Sequence, residues 1–237
     1  MSRQDITTVF NKKMKMSDLI DVDFRLLLLL HHLKISLGFG EKSVETICEE
    51  HDFDTDCFLF LANCWSNKGT LDVEKEFKKL PLEPFLYYLQ CAHSYFLDFR
   101  LPNIRRKLKA LFSTAKGGLQ QVVLDFFDSY YGEVYEHMSY EDQVVFPYIQ
   151  SLVGVAKDND YSIQIFKERH NDIEGKVNDL KQLLLKYVEA SSNQSLIVNI
   201  LMELYMSEEE LSVHTFIEDN LVIPRVKLLE QELRKMK

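Results

Sequence analysis

The chain has 237 residues, 46% of them hydrophobic, with only 8 glycines and 5 prolines. This balance suits a compact, mostly helical protein of one generous domain, or of a medium domain and a small one. The net charge of −9, without a basic stripe, argues against nucleic-acid binding, since few cationic groups are available to displace the counterions of a polyanion.

Features of the cysteines and of the N-terminus bear on the cellular compartment. No CxxC spacing occurs, which gives no sign of a structural zinc site or a thioredoxin-type pair. The first residues lack the apolar core of a signal peptide, and the leucine run at 26–30 is too short to cross a bilayer. We therefore predict a soluble, cytoplasmic protein that does not enter the membrane and has four free thiols, Cys48, Cys57, Cys64 and Cys91.

The N-terminal part predicts a small helical module over residues 1–70. Helical stretches are expected at 17–35, 43–50 and 54–65, with Asp54 capping the last of them and Gly38 ending the first. A helix-turn-helix is an alternative for this module. Its many acidic residues between 41 and 56 would face DNA phosphates with the wrong sign of charge.

The chain changes character after a polar connector at 66–80. Long amphipathic stretches follow at about 82–113, 118–153, 159–190 and 195–235, separated by short polar or glycine-containing breaks. Four long helices with short connections predict an all-α, up-down-up-down four-helix bundle over residues 81–237. Alternating apolar and polar runs, which would predict strands, are scarce.

A repeated motif provides the strongest chemical signal. HMSYEDQVVFP begins at His137 and HTFIEDNLVIP begins at His214, and each has Glu at offset four, Asp at five and Pro at ten. Residues four apart lie on one helix face, one turn from each other, so the His and the Glu of each pair can reach the same target. Imidazole and carboxylate are donors for iron, manganese or zinc, and facing His/Glu helices in a bundle form two-metal sites.

Histidines extend this site to all four bundle helices. His93, His137, His170 and His214 occupy one predicted helix each, at depths that place them in one layer of an antiparallel bundle. Four buried imidazoles in one layer need either hydrogen-bond partners or a metal. With Glu141 and Glu218 they are sufficient for two octahedral irons, bridged by both carboxylates and an oxygen, with at least one coordination position open.

This arrangement resembles the hemerythrin-like di-iron bundle, and most closely its repair-of-iron-centres branch. The blocks HSYFLDFRLPNI, HMSYEDQVVFPYI and ERHNDIEG carry the resemblance, which covers nearly the whole chain. The resemblance implies two non-haem irons, carboxylate- and oxo-bridged, with both glutamates as bridges. The implied ligands are His93, His137, Glu141, His170, His214 and Glu218.

The resemblance also implies a function. An open iron position would bind or reduce nitric oxide or dioxygen and support the repair of damaged iron-sulfur proteins after stress, by donating iron. The alternatives are a gas sensor that signals through its N-terminal module and a helical interaction protein without metal. No catalytic side chain is predicted besides the ligands, and the sequence leaves open whether the protein is an enzyme and whether it forms a homodimer.

Two departures from the family pattern affect these expectations. Oxygen-carrying hemerythrins have a second histidine four residues after the one on the third helix, where this chain has Glu174. Loss of that ligand favours reactivity over reversible oxygen carriage, and Glu174 either ligates or pairs with Lys176 or Lys181. The branch also has adjacent cysteines in its N-terminal module, whereas residues 37–42 here are LGFGEK, so a thiol-dependent step assigned to that motif does not carry over to this chain, and the effect of the missing pair stays open.

Several neighbours of the ligands have two interpretations each. Asp142 and Asp219 either accept a ligand's imidazole N–H or are solvated. Glu133 either lines a polar path to the centre or forms a salt bridge at the rim. Pro147 and Pro224 are expected to kink or end their helices.

Overall fold

The computed structural model describes residues 10–66, 73–113, 118–154, 161–169, 174–188 and 193–236. All secondary-structure elements assigned within these ranges are helices, which confirms the predicted all-α fold. The chain divides into two compact units. The first consists of Met1–Ala92 with Phe216–Arg225, and the second of His93–Thr215 with Val226–Lys237.

The helices of the N-terminal region are short. They are α1 (Met16–Val22), α2 (Leu26–His32), α3 (Val44–Glu50), α4 (Thr55–Ser66), α5 (Val73–Phe77) and α6 (Glu83–Tyr95). The predicted cap of α4 is confirmed, because Asp54 Oδ1 accepts a hydrogen bond from the backbone N–H of Cys57 at 2.8 Å. Ser43 caps α3 in the same way through the N–H of Thr46.

The helical stretch predicted at 17–35 was wrong in one respect, because it is broken at Asp23. The Asp23 backbone is extended, and its carboxylate accepts hydrogen bonds from Arg25 through the backbone N–H and two guanidinium nitrogens. Ser66, at the end of α4, donates a further hydrogen bond to the same carboxylate at 2.7 Å. Local bonding of this kind competes with the helix backbone, so the chain turns here and α2 starts afresh.

Aromatic rings form much of the core of the first unit. Phe60, Phe77 and Phe85 pack with ring centroids 4.8–5.6 Å apart. The indole N–H of Trp65 donates to the Tyr88 hydroxyl at 3.1 Å, which satisfies a buried polar group. The compact unit thus extends to Ala92 in this part of the chain.

Domains are defined by independent folding as well as by contact, so the predicted boundaries at 70 and 81 stay predictions.

Where the structure describes them, the four long stretches predicted for the bundle are helical, with breaks or wide turns. Their elements are π1 (Phe96–Arg100) and α7 (Leu101–Leu111) after α6, then α8 (Gly118–Tyr140), π2 (Glu141–Val145), α9 (Phe146–Gly154), α10 (Ile163–Arg169), α11 (Glu174–Tyr187), α12 (Gln194–Ile217), π3 (Glu218–Val222) and α13 (Ile223–Met236). Among the described helices, none is long and apolar enough to cross a bilayer.

Helices α7, α8, α11 and α12 share the hydrophobic core of the second unit. Side-chain pairs show that α7 and α12 are antiparallel, since Arg100, at the end of π1, bonds Glu210, and Lys107, farther along the chain in α7, bonds Glu203. Lys176 of α11 pairs with Glu133 of α8, and Lys181 of α11 pairs with Glu208 of α12. These contacts connect the four helices in the order that a four-helix bundle requires.

Each of the three π segments is followed by a proline two residues after its end. The prolines are Pro102, Pro147 and Pro224. Proline lacks an N–H and its ring collides with the carbonyl four residues earlier, so the preceding turn widens from α to π. The expectation that Pro147 and Pro224 would end their helices is corrected, because α9 and α13 continue through them, and the expected kink stays a prediction.

Candidate metal centre

His93 of α6 lies at the middle of a buried polar cluster. Its Nε2 atom is 3.1 Å from Nε2 of His214 and 3.2 Å from a carboxylate oxygen of Glu141. All three side chains are buried, and His93 and Glu141 are fully so. These residues come from three separate helical stretches, and their depths along the predicted antiparallel helices had placed the histidines in one layer.

The Glu141 carboxylate has an imidazole on each side. Its Oε2 atom faces His93, and its Oε1 atom is 3.2 Å from Nε2 of His137, one turn earlier on the same helix. A carboxylate with one nitrogen donor near each oxygen has the arrangement expected of a bridge between two cations. The four-residue spacing of the motif produces this contact, as the sequence indicated.

Glu218 completes a set of four buried ligand groups. It follows His214 by one helical turn and is 2% exposed. One ligand atom from each of His93, Glu141, His214 and Glu218 can be chosen so that all four lie within 4.8 Å of one another. Two carboxylates buried this close to each other are costly unless cations neutralise them, so the donor set fits a metal.

The sixth predicted ligand, His170, lies outside the described residues, between the end of α10 at Arg169 and the start of α11 at Glu174. The side chain of Glu174 is also outside the described part. The structure thus brings together four of the predicted residues and places His137 against one of them. The assignment of all six as metal ligands stays a prediction.

Asp142 resolves one of the open alternatives. The Nδ1–H of His93 donates to Asp142 Oδ1 at 2.9 Å, so Nε2 of the same ring is turned toward the cluster. The ring also stacks on Phe146 with centroids 5.5 Å apart, a contact that the sequence analysis missed. Asp142 is therefore the acceptor that orients a candidate ligand. Asp219, its counterpart in the second motif, is exposed.

Glu133 forms a salt bridge at the rim of the bundle, the second of the two interpretations given for it. It is exposed on α8 and forms an ion pair with Lys176. Lys181, the other lysine expected near Glu174, pairs with Glu208 and lies over the Tyr205 ring. The structure thus gives both lysines other partners and supports a rim salt bridge for Glu133.

A buried ion pair near the cluster was not predicted. Arg100 Nη2 donates to Glu210 Oε2 at 3.2 Å, and the two residues are 8% and 1% exposed. Tyr130 is buried in the same core, and burial, with a smaller effect from Glu210, raises the pKa of its phenol. Glu210 stands one turn before His214, as Glu133 does before His137, and this repeat was the signal available in the sequence.

The fold and this donor set define a helical protein with a cation-binding centre. The model of the hemerythrin HHE cation-binding domain matches residues 93–226, which is more than half of the chain. The chain therefore belongs to the hemerythrin HHE cation-binding domain family. No curated protein matches it. The predicted hemerythrin resemblance is confirmed at this level, and the narrower repair branch stays a prediction.

Proposed function

We propose that this protein is a non-haem di-iron protein that binds or reduces nitric oxide or dioxygen and supports the repair of damaged iron-sulfur clusters. The observation that carries the proposal is the Glu141 carboxylate, with His93 beside one oxygen and His137 beside the other. That placement suits one cation at each oxygen, with the carboxylate as bridge.

The assignment of ligands follows from the contacts. His93 and His214, whose Nε2 atoms are 3.1 Å apart, would hold one iron, and His137 would hold the other. Glu218 would be the second bridge. The fourth imidazole would be His170, because His93, His137 and Glu141 recur 77 residues later as His170, His214 and Glu218.

Iron is favoured among the metals by the nature of the donors. Mixed imidazole and carboxylate ligands in a helical bundle suit iron or manganese, whereas the thiolates that favour structural zinc are absent from the cluster. When bound, a pair of irons supplies two electrons at one place to a small oxidant. The protein's own part is to hold the imidazoles in position, through Asp142 for His93, and to keep the carboxylates out of bulk water.

Support for cluster repair comes from the sequence resemblance. Glu174 stands where oxygen carriers have an extra histidine, which leaves fewer nitrogen ligands and favours a reactive or labile centre. Carboxylate bridges weaken when they are protonated, so protonation of the bridging glutamates would favour the release of iron. Iron donation to damaged cluster proteins is the activity that we propose on this basis.

The test has two stages. Anaerobic protein loaded with ferrous iron is first titrated with nitric oxide and with dioxygen, and we expect an optical change with each that His137→Ala/Glu141→Ala protein does not give. Loaded protein is then incubated with an enzyme whose iron-sulfur cluster has been damaged. Recovery greater than with an equal amount of free iron supports repair. Gas binding without such recovery would contradict repair and favour the sensor.

A further inference from the structure

The buried ion pair between Arg100 and Glu210 joins the last residue of π1, just before α7, to α12. Both residues belong to helical stretches that also carry ligands of the proposed centre. Arg100 follows His93 by seven residues, and Glu210 precedes His214 by four. The helical stretch that carries His93 and Arg100 runs antiparallel to α12, so the same side of α12 makes the ion pair and the His93–His214 approach at 3.1 Å.

Hydrophobic packing specifies the axial position of the first half of α12 only weakly. Apolar residues of this helix lie on both its buried and its exposed sides. Ile197, Ile200 and Leu204 are buried, while Val198 and Met202 are more than half exposed. Burial of apolar surface is non-directional, and within residues 197–204 a slip of one turn, about 5.4 Å, would replace one aliphatic side chain by another. Apolar packing in this half of the helix would therefore tolerate a shift.

The ion pair does not tolerate such a slip. Arg100 and Glu210 are buried, and a shift of one turn would leave each charge in the core without the other. The neighbouring contacts along the same helices are polar as well, since Asn103 donates to Glu203 at 3.0 Å and Lys107 pairs with Glu203. Of these contacts, the Arg100–Glu210 pair is the most buried and the nearest in sequence to His214.

We propose that the Arg100–Glu210 ion pair fixes the axial register of α12 against α6 and α7, and thereby holds His93 and His214 at one depth for the same metal ion. The two residues are positioning residues, because they act through the backbone that carries the imidazoles. This inference rests on the proposed metal centre. Iron binding by the wild-type protein tests the proposed metal centre, and variants of Arg100 and Glu210 test the axial register of α12.

The central variant replaces both charges by apolar groups, as Arg100→Met/Glu210→Leu. Substitution of a buried pair by apolar residues is often neutral or stabilising, so we expect a folded protein whose thermal stability is not reduced. Its iron affinity should fall by at least about tenfold. The cobalt-substituted protein should show an altered ligand-field spectrum, which loss of stability alone would not produce. The matched control is Lys107→Met/Glu203→Leu, at the outer end of the same contact, which should keep its affinity.

A single variant separates register from simple electrostatics and decides the question if the double variant cannot be purified. Arg100→Gln removes a positive charge near a cation site, so electrostatic attraction alone predicts tighter iron binding. The register proposal predicts weaker binding, with Arg100→Lys, which keeps the charge, close to wild type. Iron affinity at or above the wild-type level in Arg100→Gln, or an unaltered cobalt spectrum in the double variant, would overturn the proposal.

Discussion

Adjacent carboxylates on one helix have different roles because they point in different directions. Glu141 is buried between His93 and His137, and Asp142, about 100° farther round the helix, bonds the outer nitrogen of His93. In a histidine held in this way Nδ1 carries the proton, so Nε2 presents its lone pair, which can bind a metal ion. One dipeptide thus supplies a candidate bridge and fixes the ring beside it.

At the residue scale, we predict that Asp142→Leu weakens iron binding about 10- to 100-fold, the usual effect of losing an acceptor behind a ligand histidine. The measurement is competition with a chelator of known affinity under anaerobic conditions. Gln143→Leu, at the exposed neighbouring position, is the control and should bind like wild type. Equal affinity in both variants would show that Asp142 does not orient a ligand.

The contacts within the repeated motif were predictable, and those between distant helices were not. The four-residue spacing of His137 and Glu141 is local and determines their contact, so the sequence predicted it. Asp142 had two interpretations, because its direction on the helix does not reveal which side chain from another helix stands opposite. Arg100 and Glu210 are 110 residues apart, and nothing local marks them as partners.

The wide π turns are the feature of the elements that bears most on the centre. Two of them begin at Glu141 and Glu218, and each is followed by a proline two residues past its end. A π turn holds one extra residue, so it changes the direction in which the side chains before and after it point. The prolines therefore help to aim both candidate bridging carboxylates.

At the element scale, we predict opposite effects on stability and on metal binding for Pro147→Ala. Alanine is the better residue in an α-helix, so thermal stability should be retained or raised as the π turn reverts to α. Iron affinity should fall by roughly tenfold or more because Glu141 is turned, an effect of the size seen when support of a ligand is lost. Pro81→Ala, in an exposed connection, should change neither. A Pro147→Ala protein that binds iron normally would refute the role of the π turn.

The break between α1 and α2 makes a separate prediction about pH. Burial acts to raise the pKa of Asp23, but hydrogen bonds from Arg25 and Ser66 outweigh it, and the net pKa is lowered. A lowered pKa stabilises the folded protein above the ordinary aspartate pKa of 3.8, and the contribution is lost as the pH falls through the folded-state value.

Asp23→Asn should therefore reduce the free energy of unfolding at pH 7 by about 2 kcal/mol, as expected for hydrogen bonds to a charged group. The difference from wild type, measured by urea unfolding, should shrink below about pH 4, where the aspartate begins to take up a proton. Asp21→Asn, at an exposed position two residues earlier, should show neither effect. A difference that stays constant down to pH 2 would contradict this account of Asp23.

Helical periodicity located the elements well, and it could not locate the interruptions. In the described residues, the four bundle stretches agree with the structure within a few residues, because long amphipathic runs are strong signals. The break at Asp23 and the three π turns depend on single side chains that compete with the backbone, or on prolines that a helix can accommodate. Helical periodicity alone carries no information on where such breaks and π turns occur.

For the whole molecule, metal binding and folding should be linked. The buried carboxylates and imidazoles belong to three helical stretches, so a metal that binds them stabilises the folded state over the unfolded one. We predict that iron loading raises the melting temperature measured by calorimetry, and that Glu141→Ala/Glu218→Ala protein shows no such rise. An equal rise in this variant would mean that iron binds elsewhere.

We propose that the HHE domain holds two irons bridged by Glu141 and Glu218. The most direct measurement is the iron content of metal-free protein reconstituted anaerobically with ferrous iron and then desalted, with Glu141→Ala protein treated in parallel. We expect two irons per chain in the wild type and fewer in the variant. No iron in the wild type, a single iron, or two in both proteins would contradict it.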